Sequence, residues 1–166
     1  GWWHRYWRYS AYPGQLAPTC GAMGYGVPAA VAAALRFPDR MVVAVAGDGD
    51  FLMNGQELAT AAQHGANMLV VVIDNGAYGT IRMHQEREYP GRVSATALIN
   101  PDFAMLAAAY GAWSTRVETT QQFISALEDA KSRTGLRLIH VLTDLDQIAA
   151  SGATITNLRA RANSGT

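Results

Sequence analysis

Two short polar segments contain the side chains whose types and spacing could do chemistry. They are Gly47-Asp48-Gly49-Asp50 and Asp74-Asn75-Gly76-Ala77, and each follows an apolar run. Asp48 offers a carboxylate, Asn75 offers an amide oxygen, and the turn after Asn75 can direct a main-chain carbonyl to the same point. Such an all-oxygen set, without Cys or His, suits Mg²⁺, which keeps water and phosphate oxygens as its other ligands. The two segments therefore predict a site for magnesium and a diphosphate.

The glycines of the first segment favour an anion close to the main chain. Gly47 and Gly49 allow a sharp turn, and the amides of Gly49 and Asp50 then point at a diphosphate near the start of the following helix. Taken singly, each segment has a plainer interpretation, because Gly-Asp-Gly is a turn in most sequences and Asn75-Gly76 more often forms a hairpin turn. Their joint placement after two apolar runs favours the functional interpretation.

The elements that must position these segments form a strand–helix–strand unit. Residues 41–46 and 68–73 are apolar throughout and predict fully buried strands, and residues 54–64 between them have a helical pattern. Buried strands joined by a helix run parallel, with a right-handed crossover. Asp48 and Asn75 are therefore expected side by side at the carboxyl edge of one sheet, where open α/β sheets bind ligands.

The rest of the chain supplies further helices, strands and one long loop. We predict a short edge strand at 16–19, strands at 112–117 and 136–142, and helices at 28–37 (with Pro28 in the first turn), 78–88, 102–110 and 121–131. Thr120 is expected to cap the last of these helices. The polar loop from Tyr89 to Pro101 is a candidate cover for a site, ordered only when a ligand is bound.

The joint pattern resembles the signature of thiamine diphosphate (ThDP) enzymes, in which a Gly-Asp-Gly closes on an Asn-Asn pair. Residues 21–30 (GAMGYGVPAA) and 54–60 (NGQELAT) are similar to the acetolactate synthase-like branch of that family. The resemblance covers about residues 6–145. Asp74 stands where the family usually has its first Asn. The second Asn is the family's metal ligand, so Asn75 keeps that role.

The resemblance implies a role for each polar segment. Asp48, Asn75 and the Ala77 carbonyl hold Mg²⁺, and the diphosphate lies on the amides that follow Asp48. Met23 props the pyrimidine ring of the cofactor, with core packing as its alternative, and the Gly21 carbonyl accepts a hydrogen bond from the exocyclic amine. The full set implied for cofactor binding is Gly21, Ala22, Met23, Gly47, Asp48, Gly49, Asp50, Asn75, Ala77, Tyr78, Gly79, Thr80 and Ile81.

Substrate contacts are expected on the helix that follows the second segment. In the resembled family this helix lines the substrate cleft, which makes Tyr78, Ile81 and His84 candidates, with a solvated helix face as the alternative for His84. No residue of this chain is assigned to catalysis. In the family, that role belongs to a glutamate from the N-terminal pyrimidine-binding domain of the opposing subunit.

The fold class predicted is α/β, in three α/β/α layers around a mainly parallel sheet. The resemblance suggests about six strands in the ThDP-binding fold. Residues 1–12 are interpreted as an aromatic segment leading in from a preceding domain, and exposed rings there should promote self-association. Residues 13–145 are interpreted as the domain that binds diphosphate and Mg²⁺, and residues 146–166 as a C-terminal tail that is partly disordered.

Composition limits the partners of the chain. Its 166 residues are 49% hydrophobic and 16% charged, which is enough for one core, and the net charge of zero without a basic block argues against nucleic acid. No apolar run reaches the roughly 20 residues of a membrane span. The single cysteine, Cys20, cannot form an internal disulfide, which is typical of a cytoplasmic protein. The start without Met suggests a fragment of a longer polypeptide.

The function implied by the resemblance is decarboxylation of a 2-oxo acid, with or without transfer of the resulting acyl carbanion equivalent. The full-length protein is expected to form a homodimer or homotetramer with the cofactor between two chains, and the isolated chain to be catalytically silent. The alternative is a non-catalytic or regulatory module that binds ThDP or a nucleotide. A dinucleotide-binding fingerprint would need a third glycine at the position of Leu52.

Overall fold

The computed structural model describes residues 1–164 and divides into two compact units. The first unit comprises residues 1–16, residues 75–99 and the segment from Asp144 onward. The second comprises residues 17–74 and 100–143. The domain boundaries predicted from the sequence stay a prediction. None of the helices among the described residues combines the length and the apolar character that crossing a membrane requires.

The second unit is built on a parallel sheet, as predicted. Its strands are β1 (Val42–Gly47), β2 (Met68–Asp74), β3 (Trp113–Val117) and β4 (Leu136–Leu142), in the spatial order β1-β2-β4-β3. All three neighbouring pairs run parallel. The chain's helices are α1 (Trp2–Tyr6), α2 (Gly26–Arg36), α3 (Asp48–Asn54), α4 (Leu58–Gln63), α5 (Gly79–Glu88), α6 (Phe103–Ala109), α7 (Thr120–Ser132) and α8 (Ile155–Ser164), with a 3-10 turn at Gly55–Glu57.

Alternate residues of β2 point into two separate cores, which places helices on both faces of the sheet. Val70 and Val72 belong to a core that also contains apolar residues of α2, α3, α4 and α6. Leu69 and Val71 belong to a second core with residues of α7. Parallel sheets are covered by helices on both sides. The side chains on both faces of β2 are therefore buried, which explains why its sequence is apolar from Met68 to Ile73. The three-layer α/β/α arrangement of this unit is confirmed.

The sheet departs from expectation in two ways. It has four strands among the described residues, where the resemblance suggested about six, and residues 16–19 form no strand. The prediction that residues 41–46 form a fully buried strand is also wrong, because Val43 and Val45 are 39% and 38% exposed. β1 lies at the end of the strand order, and only the face carrying Ala44 and Ala46 packs into the core with α2.

The helix after β1 begins earlier than predicted. It starts at Asp48, immediately after the strand, and a 3-10 turn at Gly55–Glu57 separates it from α4. The backbone departs from helical geometry at Asn54, which has φ −142° and ψ 24°. At the next residue, Gly55, a Cβ would lie 2.6 Å from a ring carbon of Phe51. The main chain therefore approaches the Phe51 ring more closely than any other residue would allow.

Most of the remaining elements of the second unit agree with the predictions to within a residue or two. The main correction is the cap of α7, which is Thr119 and not Thr120. Thr119 Oγ1 accepts from the Gln122 amide at 3.2 Å, and Gln122 Oε1 accepts from the Thr119 amide at 3.1 Å. This reciprocal pair is a capping box, and it satisfies two donors that would otherwise lack partners.

The first unit contains α1, α5 and α8. The ring of Trp3 in α1 stacks on that of Trp7, the residue after the helix, with ring centroids 4.6 Å apart. α5 packs on α8 through Glu86, whose carboxylate accepts from Arg159 Nη2 at 2.7 Å. The end of the tail predicted to be disordered, Gly165 and Thr166, lies outside the described residues.

Candidate functional site

Two buried carboxylates lie at the carboxyl ends of adjacent strands. Gly47, the last residue of β1, pairs with Ile73 of β2, so Asp48 and Asp74 occupy the next positions along the two strands. The two residues are 3% and 8% exposed. Buried carboxylates are rarely left without partners, because removing a charge from water is costly.

Asn100 joins these two carboxylates. Its Nδ2 donates to Asp48 Oδ2 at 2.8 Å and to Asp74 Oδ1 at 2.8 Å. The opposite orientation of the amide would set its oxygen against two carboxylate oxygens, so the hydrogen-bond chemistry fixes which atom is the nitrogen. One neutral side chain therefore donates to both acidic groups at this edge of the sheet.

His140, on β4, holds the far side of Asp74. Its Nε2 lies 2.9 Å from Asp74 Oδ2, and an ionised carboxylate only accepts, so Nε2 carries the hydrogen. The imidazole is 2% exposed and meets the Phe103 ring edge-to-face at 5.0 Å. Its Nδ1 has no hydrogen-bond partner among residues 1–164 and lies 3.7 Å from Asp102 Oδ1. The ring is thus oriented by a carboxylate on one side and an aromatic edge on the other.

The surroundings of Asp48, the predicted metal ligand, shift the pKa of its carboxyl group. Burial raises the pKa of the Asp48 carboxyl above its usual value, and the neighbouring Asp74 carboxylate raises it further. Hydrogen bonds from Asn100 and from the Gly49 amide, at 2.9 Å, oppose this rise. Asp102 shows the opposite direction, since amide donors at the start of α6, first that of Met105, lower its pKa.

The donor set around Asp48 suits a hard cation. A carboxylate has roughly four lone-pair positions, and the structure shows donors from Gly49 and Asn100 on two of them. In addition, Asn100 Oδ1 is buried without a hydrogen-bond partner in the described part of the chain. No group of three His, Cys, Asp or Glu side chains gathers as a metal cluster in that part. The assignment of Asp48 to a metal site stays a prediction.

The amides predicted to bind a diphosphate lie in the first turn of α3. Gly49 and Asp50 follow Asp48 at the start of that helix, where main-chain amides have no acceptor within the helix. The structure adds that the Gly49 amide already donates to Asp48 Oδ1. Its role towards a diphosphate stays a prediction.

The turn that carries Gly21, Ala22 and Met23 is fastened to α3. The Gly24 amide donates to Asp50 Oδ1, and Asn54 Nδ2 donates to the Gly24 carbonyl at 2.9 Å. Met23 is 45% exposed, so the alternative of core packing for this side chain is wrong. Cys20 is exposed as well. The exposed Met23 is therefore positioned by its neighbour Gly24, which is hydrogen-bonded to Asp50 and Asn54 of α3.

From Asn75 onward, the second predicted segment belongs to the first unit. Asn75 Oδ1 accepts from the Ala77 amide at 3.1 Å, and Gly76 has a φ of +68°, which favours glycine. Gly79 makes room for the Asn75 amide, since a Cβ at Gly79 would lie 2.8 Å from Asn75 Nδ2. Local packing thus fixes the Asn75 side chain, although its role as a ligand stays a prediction.

The candidates beyond this turn differ in exposure. Ala77 is buried, Tyr78 and Gly79 are half-buried, and Thr80 and Ile81 are exposed on α5. His84 is also exposed and pairs with Arg87 Nη2 at 2.8 Å. Exposure on α5 agrees with a ligand-facing helix and equally with a solvated face, so these roles stay predictions.

The polar loop before Pro101 is pinned to the turn that carries Ala77. The Leu98 amide donates to the Gly76 carbonyl at 2.8 Å, and the Tyr78 amide donates to the Thr96 carbonyl at 3.0 Å. Thr96 is buried, and its hydroxyl donates to Gln85 Oε1 at 3.0 Å. The C-terminal part of the polar loop, the candidate cover, is therefore hydrogen-bonded to the protein without a ligand.

Comparison with known proteins shows the family. Residues 1–141 match the family described as thiamine pyrophosphate enzyme, C-terminal TPP binding domain. The chain belongs to this family. It is 39% identical over 125 residues to the acetolactate synthase isozyme 2 large subunit of Escherichia coli K12, which covers 75% of this chain and 23% of that protein.

Other relatives carry related names. The acetolactate synthase isozyme 1 large subunit of Escherichia coli K12 is 32% identical over 151 residues, 87% of this chain and 27% of that protein. The large subunit from Parasynechococcus marenigrum is 46% identical over 93 residues, 55% of this chain and 15% of that protein. The chain spans about a quarter or less of the length of these relatives. They confirm the resemblance to the acetolactate synthase branch.

Sequence reasoning for this thiamine pyrophosphate domain missed Asn100 and His140. Asn100 precedes Pro101 in a loop, and its partners are 26 and 52 positions away in the chain, so no local pattern marks it. His140 carried a weak signal, because it is one of two polar residues in the otherwise apolar strand LRLIHVL. A buried histidine needs a partner, and pairing of β4 with β2 supplies Asp74.

Proposed function

We propose that this chain is the part of a 2-oxo acid decarboxylase or carboligase that anchors the diphosphate of ThDP through Mg²⁺. The observation that carries the proposal is the buried Asp48 carboxylate in a chain of the TPP-binding family, at the carboxyl end of β1 with acceptor positions remaining. Relatives named acetolactate synthase support this reaction class for the whole protein.

The proposal gives the polar residues separate tasks. Asp48, Asn75 and the Ala77 carbonyl hold Mg²⁺, while the amides of Gly49 and Asp50 bind the diphosphate. The turn pinned to α3 presents Met23 and the Gly21 carbonyl to the pyrimidine ring. ThDP itself supplies the electron sink for the carbanion, and the protein binds, orients and shields it.

Catalysis by this domain needs a second chain. We infer that a pyrimidine-binding domain of an opposing subunit supplies the acidic group that activates the cofactor, in a cytoplasmic homodimer or homotetramer. No residue of this chain can be given that role from the family's motifs. The isolated 166-residue chain is accordingly proposed to bind ThDP weakly and to turn over no pyruvate.

Calorimetry with ThDP and with NAD, each with and without Mg²⁺, tests the ligand class. We expect binding of ThDP only when Mg²⁺ is present, and no binding of NAD. Asp48→Asn should weaken ThDP binding by more than the roughly tenfold effect of losing an outer contact to a metal. Asp39→Asn, at an exposed aspartate, is the matched control. Binding of NAD, or of ThDP equally well without Mg²⁺, contradicts the proposal.

A further inference from the structure

The Asn100 amide reduces the electrostatic repulsion between two buried carboxylates by donating a hydrogen bond to each of them. Asp48 and Asp74 lie at adjacent strand ends and are both shielded from water, so their mutual repulsion is screened less than at a surface. Asn100 places one N–H hydrogen on each of them. The hydrogen bonds draw electron density from both groups without adding a charge that would compete with a cation.

The second carboxylate is itself held firmly. The main-chain carbonyl of Asp74 accepts from the Thr143 amide at 2.8 Å, and its Oδ2 accepts from His140. His140 in turn lies against the Phe103 ring. Asn100 therefore connects Asp74, which is held in place, to the Asp48 carboxylate, whose orientation determines how it would bind a cation.

We propose that Asn100 is a positioning residue of the cation site, which fixes the orientation of the Asp48 carboxylate from its Asp74–His140 anchor. The proposal rests on the proposed function, since it concerns the cation assigned to Asp48. With Oδ2 held by Asn100 and Oδ1 by the Gly49 amide, the carboxylate cannot rotate without losing a hydrogen bond. Outer contacts of this kind set the geometry of metal ligands and commonly change affinity by about 10- to 100-fold.

Asn100 also offers a free acceptor. Its Oδ1 is buried and has no hydrogen-bond partner in the described residues, and such atoms are rare in native structures. A water molecule bound to the cation would be a donor of the kind that this atom requires. Asn100 would then contact the site through both ends of its amide.

The test replaces the amide with a side chain of similar shape. Asn100→Leu keeps the branched outline and removes both donors, and Asn157→Leu at an exposed position of α8 is the matched control. Binding of Mn²⁺ to the 166-residue chain in the presence of ThDP is measured by electron paramagnetic resonance. We expect Asn100→Leu to weaken Mn²⁺ binding at least tenfold and Asn157→Leu to leave it unchanged.

A second variant separates positioning from loss of the fold. Asn100→Gln keeps the amide donors on a longer side chain, so it should retain more Mn²⁺ affinity than Asn100→Leu, and thermal melting shows whether both variants are folded. Unchanged affinity in Asn100→Leu, or Asn100→Gln no better than Asn100→Leu, overturns the inference and leaves the proposed function standing. Failure of the unmodified chain to bind Mn²⁺ with ThDP overturns both.

Discussion

Single residues in this molecule act through partners that are far away in the sequence. Asp48 receives its donors from the next residue and from Asn100, and Asp74 receives donors from Asn100 and His140. The pKa of Asp48 is set by burial first and by these contacts second. The chemistry of the carboxylate is therefore a property of four chain segments that meet at one edge of a sheet.

Glu86 provides a prediction at this scale. Hydrogen bonds, first from Arg159, lower the pKa of its carboxyl from 4.5 to about 2. Because the folded pKa lies below the unfolded value, the stabilisation is complete above about pH 4.5 and is lost as the pH falls towards 2. The stabilisation is smaller than the full shift implies, since the partly exposed Arg159 is screened by solvent.

Thermal melting between pH 7 and pH 2 measures this contribution. Glu86→Gln should lower the melting temperature at pH 7 and flatten its fall below pH 4.5. Glu118→Gln, at an exposed glutamate, should follow the unmodified chain. Equal slopes for Glu86→Gln and the unmodified chain would show that the pair with Arg159 contributes nothing in solution.

At the scale of elements, the turn before α2 depends on α3. Asp50 Oδ1 accepts from the Gly24 amide, and Asn54 Nδ2 donates to the Gly24 carbonyl. Gly24 has a φ of +86°, and a Cβ there would lie 2.7 Å from Asn54 Nδ2. Both the conformation and the space require glycine at this position.

Gly24→Ala should therefore destabilise the chain by roughly 3 kcal/mol, as the sum of left-handed strain and a steric clash. Gly21→Ala is a close control, because Gly21 has a φ of +66° but open space around its Cβ position. That variant should cost only about 1 kcal/mol. Denaturant unfolding compares the two, and equal losses would show that α3 does not constrain the turn.

The same scale shows what the sequence could predict. Strand β2 was recognisable because burial on both faces makes every position apolar, and the strand after a helix had to run parallel. The edge position of β1 was not recognisable, because VVAVA is equally apolar whether one or both faces are covered. The segments around Asp48 and Asn75 followed from local pattern. Asn100 and His140 did not, since tertiary contacts alone give them partners.

At the scale of the whole molecule, the N-terminal segment presents apolar rings to solvent. Trp2, Trp3 and Trp7 are 47%, 40% and 46% exposed. Such a cluster favours association through buried apolar surface. We expect the chain to self-associate in a concentration-dependent way, measured by light scattering. Replacing Trp3 and Trp7 by Ser should reduce it, and monodisperse monomers with fully solvated tryptophans would contradict this expectation.

The central claim is that Asp48 and Asn75 serve one cation that carries the diphosphate of ThDP. A crystal structure of the chain grown with ThDP and Mg²⁺ tests it most directly. We predict one ion about 2.1 Å from an Asp48 carboxylate oxygen, the Asn75 amide oxygen and the Ala77 carbonyl oxygen, with diphosphate oxygens completing the shell. An ion bound without Asp48, or Asp48 and Asn75 with no ion in common, would contradict the account.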